Sequence, residues 1–94
     1  MSRIARRRRI LVVEDDEMVR DAVAMMLRSD DHEVVTASSA ADALALLERG
    51  SYDVIVSDLR IPNMDGPTFY RELKQRWPAA LPRLIFMTGH ADDP

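Results

Sequence analysis

The chain has no cysteine, which excludes disulfides and thiolate metal sites. It has no long apolar run either. The longest, Ala22 to Leu27, is far too short to span a bilayer, and the opening arginines lack a following apolar core of signal-peptide length. A cytoplasmic location without a membrane partner is the expectation. After Ile10 there is no internal repeat, low-complexity tract or domain boundary, and 94 residues make one small domain. Positive charge is scarce outside the first nine residues. Arg3, Arg6, Arg7, Arg8 and Arg9 stand in that stretch; from Ile10 onward eight basic residues face sixteen acidic ones, a balance of −8. So acidic a body argues against direct nucleic-acid binding. Residues 1–9 read as a solvated Arg-rich arm.

What is present alternates in period. Ile10-Leu-Val-Val13 is a short β-branched run that reads as a buried strand. Glu14, Asp15 and Asp16 close it, with Asp16 as the N-cap of a helix. Val19, Ala22, Val23, Met26 and Leu27 then recur as one apolar helical face. His32 reads as an exposed turn residue. Glu33 to Ala37 is a second strand. Ser38 or Ser39 caps a second helix, whose buried stripe is Ala40, Ala43, Leu44 and Leu47. Gly50 stops it in the left-handed C′ manner.

Asp53 to Ser57 is a third strand, with Asp58 just past its end and a turn on Pro62 and Gly66. Asp65 reads as the cap of the third helix, and Pro67 sits in its first turn. Phe69, Leu73 and Trp77 form that helix's core stripe. Leu84 to Met87 is a fourth strand, leading into Thr88 and Gly89. The order is β-α-β-α-β-α-β, which predicts an α/β fold with a doubly wound parallel sheet.

Right-handed crossovers put every strand's carboxyl end on one edge. That edge collects Glu14 and Asp15 from the first strand, Asp58 from the third and Thr88 from the fourth. Three carboxylates in one crevice repel one another, and a hard divalent cation such as Mg2+ or Mn2+ relieves the repulsion. Such a cation suits phosphoryl transfer onto a carboxylate, and Asp58, alone at its strand end, is the better nucleophile. Glu14 and Asp15 are then metal-side residues, and the Thr88 hydroxyl can bond a phosphoryl oxygen. Taken singly, each of these residues has a duller reading as a helix cap or a strand-end polar group.

Three stretches carry a resemblance: Ile10-Leu-Val-Val-Glu-Asp-Asp16, Asp58-Leu-Arg-Ile-Pro-Asn-Met-Asp-Gly66 and Met87-Thr-Gly89. From Ile10 to the end the chain resembles the receiver domain of two-component response regulators, a flavodoxin-like fold. The resemblance makes Asp58 the phosphoacceptor, supplied by a histidine kinase or phosphotransfer protein. It makes Asp15 a direct metal ligand and Glu14 a ligand through water. The backbone carbonyl of Arg60 becomes the third protein ligand, and Thr88 the switch hydroxyl. The Arg60 side chain would be free to lean over the site. Gly66-Pro-Thr-Phe-Tyr70 and Met87-Thr-Gly-His90 are similar to receivers fused to hybrid histidine kinases.

Residues 10–94 thus read as a receiver domain lacking its last helix, strand and helix, truncated after the fourth strand. The family's lysine and aromatic switch residue go with the missing part; the one lysine, Lys74, falls on the third helix. That raises an alternative, a receiver-like interaction module that works without phosphate. A phosphatase of the aspartyl type needs a second Asp at position 60, where Arg60 stands. In the family's strand order the fourth strand is internal, so here it becomes an edge. Met18, Val19, Met25 and Met26 of the first helix are expected to face water. Self-association, or membership in a longer chain, follows as the expectation.

Overall fold

Four strands pair into one sheet: β1 (Arg9–Val13), β2 (Glu33–Ala37), β3 (Val54–Asp58) and β4 (Leu84–Met87). They lie in the order β2-β1-β3-β4, and every pair is parallel. The connections are α1 (Glu17–Ser29), α2 (Ala40–Arg49) and α3 (Gly66–Arg76), with a 3-10 turn over Pro78–Arg83 before β4. A two-residue antiparallel pair, Arg60–Ile61 with Met64–Asp65, bridges β3 to α3. This computed structural model describes residues 7–58, 60–61 and 64–87, without the side chains of 60, 61 and 64–67. Expectations for residues 1–6, Pro62, Thr88, Gly89 and the side chains of Arg60, Asp65 and Pro67 lie outside the described residues.

Strand alternation divides the core between the two faces of the sheet. Leu11, Val13 and Ile55 point to one face, where they meet Ala43, Leu44 and Leu47 of α2 and Phe69 and Leu73 of α3. Ile10 and Val12 point to the other, where they meet Val34 and Ala24 of α1. Helices therefore cover both faces, as in a doubly wound sheet. Phe69 and Leu73 are wholly buried; burial of such side chains contributes about 1.5–3 kcal/mol each. Trp77 continues the stripe half-buried, with the Arg76 guanidinium 4.4 Å from its ring centre. All four residues of the α2 stripe are buried. Asp16 caps α1 by accepting the N–H groups of Met18 and Val19, and the Ser39 hydroxyl accepts that of Asp42.

Several expectations need correcting. On α1 the buried residue is Ala24, flanked by half-buried Val23 and Leu27, whereas Ala22 of the expected apolar face is exposed. Apolar residues run without a break from Ala22 to Leu27, so the sheet beneath the helix sets which side is covered. Gly50 is extended, at φ −170°, and not left-handed. A Cβ there would stand 3.0 Å from Arg9 Nη1, so its glycine permits a close approach. Asp58 is the last residue of β3 and not the first beyond it, because the ladder pairs it with Met87.

Arg8 and Arg9 also belong to the fold. The Arg9 N–H donates to Asp53 Oδ2 at 2.8 Å, and its Nη1 donates to the Ser51 carbonyl at 3.1 Å. Arg9 Nε lies 3.3 Å from Glu33 Oε2, and the guanidinium lies 4.5 Å from the Tyr52 ring centre. His32 is half-buried, and its Nδ1 accepts the Arg8 N–H at 3.1 Å. Four α1 positions behave as expected: Met18, Val19, Met25 and Met26 are 82%, 42%, 69% and 61% exposed, and Ile85 of β4 is 55% exposed. Among the described residues β4 is a sheet edge.

Candidate phosphoacceptor and metal site

The register of β1 against β3 builds the site. Val13 pairs with Ser57, so the next residue of each chain segment, Glu14 and Asp58, stand side by side at the carboxyl edge. Glu14 is fixed on three sides. Its N–H donates to the Ala37 carbonyl at 3.0 Å, extending the ladder with β2. Its carbonyl accepts from Arg20 Nη1 at 3.1 Å. Its Oε2 accepts the Asp16 N–H at 2.9 Å. The three consecutive acids therefore divide their work: Glu14 turns into the crevice, Asp15 stands exposed at its mouth, and Asp16 caps α1. Ser57, wholly buried, donates its hydroxyl to the Asp58 carbonyl at 3.0 Å.

One carboxylate oxygen from each of Glu14, Asp15 and Asp58 lies within 4.8 Å of the others. Glu14 is buried, Asp58 half-buried and Asp15 exposed, so the cluster is closed below and open to solvent above. Burial raises the Glu14 carboxyl above the usual carboxylate range. The neighbouring charges of Asp58 and Asp15 add to the rise, and the Asp16 N–H opposes it. A crevice that makes the Glu14 carboxylate costly to ionise is matched to a cation. Three hard oxygen donors with an open side fit Mg2+ or Mn2+, which fill their remaining positions with water.

The sequence-predicted residues Glu14, Asp15 and Asp58 thus converge. Arg60 follows in the two-residue strand opposite Asp65, and Thr88 lies outside the described residues. Two supporting residues escaped the reading of the sequence. Arg20 holds the Glu14 carbonyl, but nothing in its local sequence separates it from any surface arginine. Ser57 had a signal, a serine inside an otherwise apolar strand, immediately before the key aspartate.

The response regulator receiver domain family matches residues 10–94 of this chain. The sensor kinase CckA of Brucella abortus is 40% identical over 79 residues, which cover 78% of this chain and 8% of the kinase. A response regulator receiver domain protein from Clostridium thermocellum superposes with a TM-score of 0.80 at 32% identity, covering 89% of this chain and 67% of that one. The response regulator TrrA of Thermotoga maritima, solved in complex with Mg2+-BeF, gives a TM-score of 0.77 at 26% identity, covering 90% of this chain and 75% of that one. The chain spans from 8% to 39% of the length of the curated relatives it matches. Match, topology and the acidic crevice agree, and the chain belongs to the response regulator receiver domain family.

Proposed function

We propose that this chain accepts a phosphoryl group on Asp58 from a histidine kinase or a phosphotransfer protein. The observation that carries this reading is the convergence of the Glu14, Asp15 and Asp58 carboxylates within 4.8 Å on the carboxyl edge of a receiver sheet. An Asp58 carboxylate oxygen attacks phosphorus; the P–N bond to the donor imidazole breaks as the P–O bond forms, and the imidazole leaves with the bonding pair. Glu14, Asp15, Asp58 and the Arg60 carbonyl would hold Mg2+ or Mn2+, which supplies neutralisation of the phosphoryl oxygens. The Thr88 hydroxyl is assigned to a phosphoryl oxygen on the phosphorylated Asp58. Arg20 and the Asp16 N–H keep Glu14 in place throughout. Acetyl phosphate with Mg2+ should add one phosphoryl group by intact mass, and Asp58→Asn should add none.

A phosphate-independent interaction module is the competing reading. It is favoured by one observation, that Lys74 is exposed on α3, well placed for solvent and not for the crevice. No mass gain with acetyl phosphate, and no beryllofluoride-dependent shift in melting temperature, would select it.

Among the described residues the apolar side of α1 is exposed and β4 is a sheet edge, which supports self-association, with β4 pairing to a second copy across a two-fold axis, or membership in a longer chain. Sedimentation equilibrium of the 94-residue chain should show mass rising with concentration. A concentration-independent monomer with a cooperative thermal transition would refute this.

A further inference from the structure

The opposite edge of the sheet carries a second feature, apart from the acidic crevice. Glu33 N–H donates to the Arg8 carbonyl and the Ala37 carbonyl accepts the Glu14 N–H. The odd-numbered residues of β2 therefore bond inward to β1, and parallel pairing turns the N–H and carbonyl of Val34 and Thr36 outward. The Val34 carbonyl is covered, because Arg28 Nη2 donates to it at 3.1 Å. The outward pair of Thr36 has no partner among the described residues. It opens onto a cleft of about 450 Å³ between α1 and α2, whose lining includes Arg20, Ser38, Asp42, Leu46 and Arg49.

The charge of this cleft runs against that of the molecule. From Ile10 onward the chain carries −8, yet two guanidinium groups line the cleft against one carboxylate. That carboxylate is already engaged, since Asp42 Oδ2 accepts the Ser38 hydroxyl at 3.3 Å. Arg20 spends one donor on the Glu14 carbonyl and keeps others. Arg49 makes no pair with any described residue. The Thr36 edge asks for a donor and an acceptor at strand spacing, which a peptide backbone supplies and a small anion does not.

We propose that this cleft takes an extended acidic peptide. The peptide adds as a strand against Thr36, and Arg20 and Arg49 receive its carboxylate. Strand addition supplies the backbone bonds, and the two arginines supply the preference for acid.

The test is an amide-resolved NMR titration of the full chain with acetyl-Thr-Val-Glu-Val-Thr-amide, beside the same peptide centred on Lys. The Thr36 amide should shift saturably with the Glu peptide, and the Lys peptide should bind roughly tenfold more weakly. Arg49→Glu, at an exposed helix position, should reverse the preference. Thr36→Pro removes only an outward N–H and should abolish binding; if that variant does not fold, the Arg49→Glu reversal decides alone. Absence of binding, equal binding of both peptides, or a preference unmoved by Arg49→Glu would overturn the proposal.

Discussion

The two ends of the parallel sheet treat charge in opposite ways. At the amino end, opposites meet: the Arg9 guanidinium reaches Glu33, the Ser51 carbonyl and the Tyr52 ring, and its backbone N–H donates to Asp53. At the carboxyl end, likes are crowded: Glu14, Asp15 and Asp58 share one crevice. The same three strands, β1 to β3, frame both ends, so the contrast does not come from the fold. It comes from which residues the chain places just before and just after each strand. The amino end is locally consistent with folding; the carboxyl end violates it, and such violations gather where a protein does chemistry.

The largest way to sharpen the contrast is to supply the missing positive charge. Mg2+ at a hundredfold excess over its dissociation constant should raise stability by about 2.7 kcal/mol, read as a rise in melting temperature. Asp15→Ala should abolish that rise, and an unchanged rise in the variant would remove Asp15 from the site. Breaking the satisfied end comes next. Arg9→Ala removes a half-exposed ion pair, a side-chain hydrogen bond and a cation–π contact, which together are worth about 1–2 kcal/mol after solvent screening. Urea denaturation should show this loss while the Mg2+-dependent rise persists, because the two ends are separate.

The smallest effect concerns the proton. The folded chain holds the Glu14 proton more tightly than the unfolded chain does. Its stabilising contribution is therefore complete below the ordinary glutamate range and is lost as pH rises through the raised value. Glu14→Gln cannot ionise and still accepts the Asp16 N–H. In metal-free buffer it should be more stable than the parent near neutral pH, with the advantage shrinking as pH falls through the raised value toward the ordinary glutamate range. Denaturation midpoints at stepped pH check this, and a pH-independent difference would contradict it.

Much of this was legible in the sequence where one local signal sufficed. The α2 stripe, the β1 run and the Asp16 cap each follow from spacing within a few residues. The acidic crevice was legible because alternating strands and helices bring all strand ends to one edge. The role of Arg9 was not. Its partners lie in segments around 33 and 53, and only the strand order brings them together; an arginine run alone looks like a solvated arm. The side of α1 that faces the sheet was only partly legible, because the unbroken apolar run from Ala22 to Leu27 is compatible with more than one phase.

The all-parallel pairing also governs how this chain is made. Ile10 to Val13 leave the ribosome before the rest of the sheet, but β1 is closed on its second side only when Val54 to Ser57 follow. At ordinary rates of synthesis that interval is on the order of several seconds. Throughout it, one of the most apolar segments of the molecule is without its full shelter. The arginines directly before it, Arg6 to Arg9, stand where charged residues flank apolar strands and disfavour their joining each other. Arg9 therefore has two settings: a charge directly before β1 while the strand waits, and contacts to Glu33, Asp53, Ser51 and Tyr52 once the segments around β2 and β3 are in place.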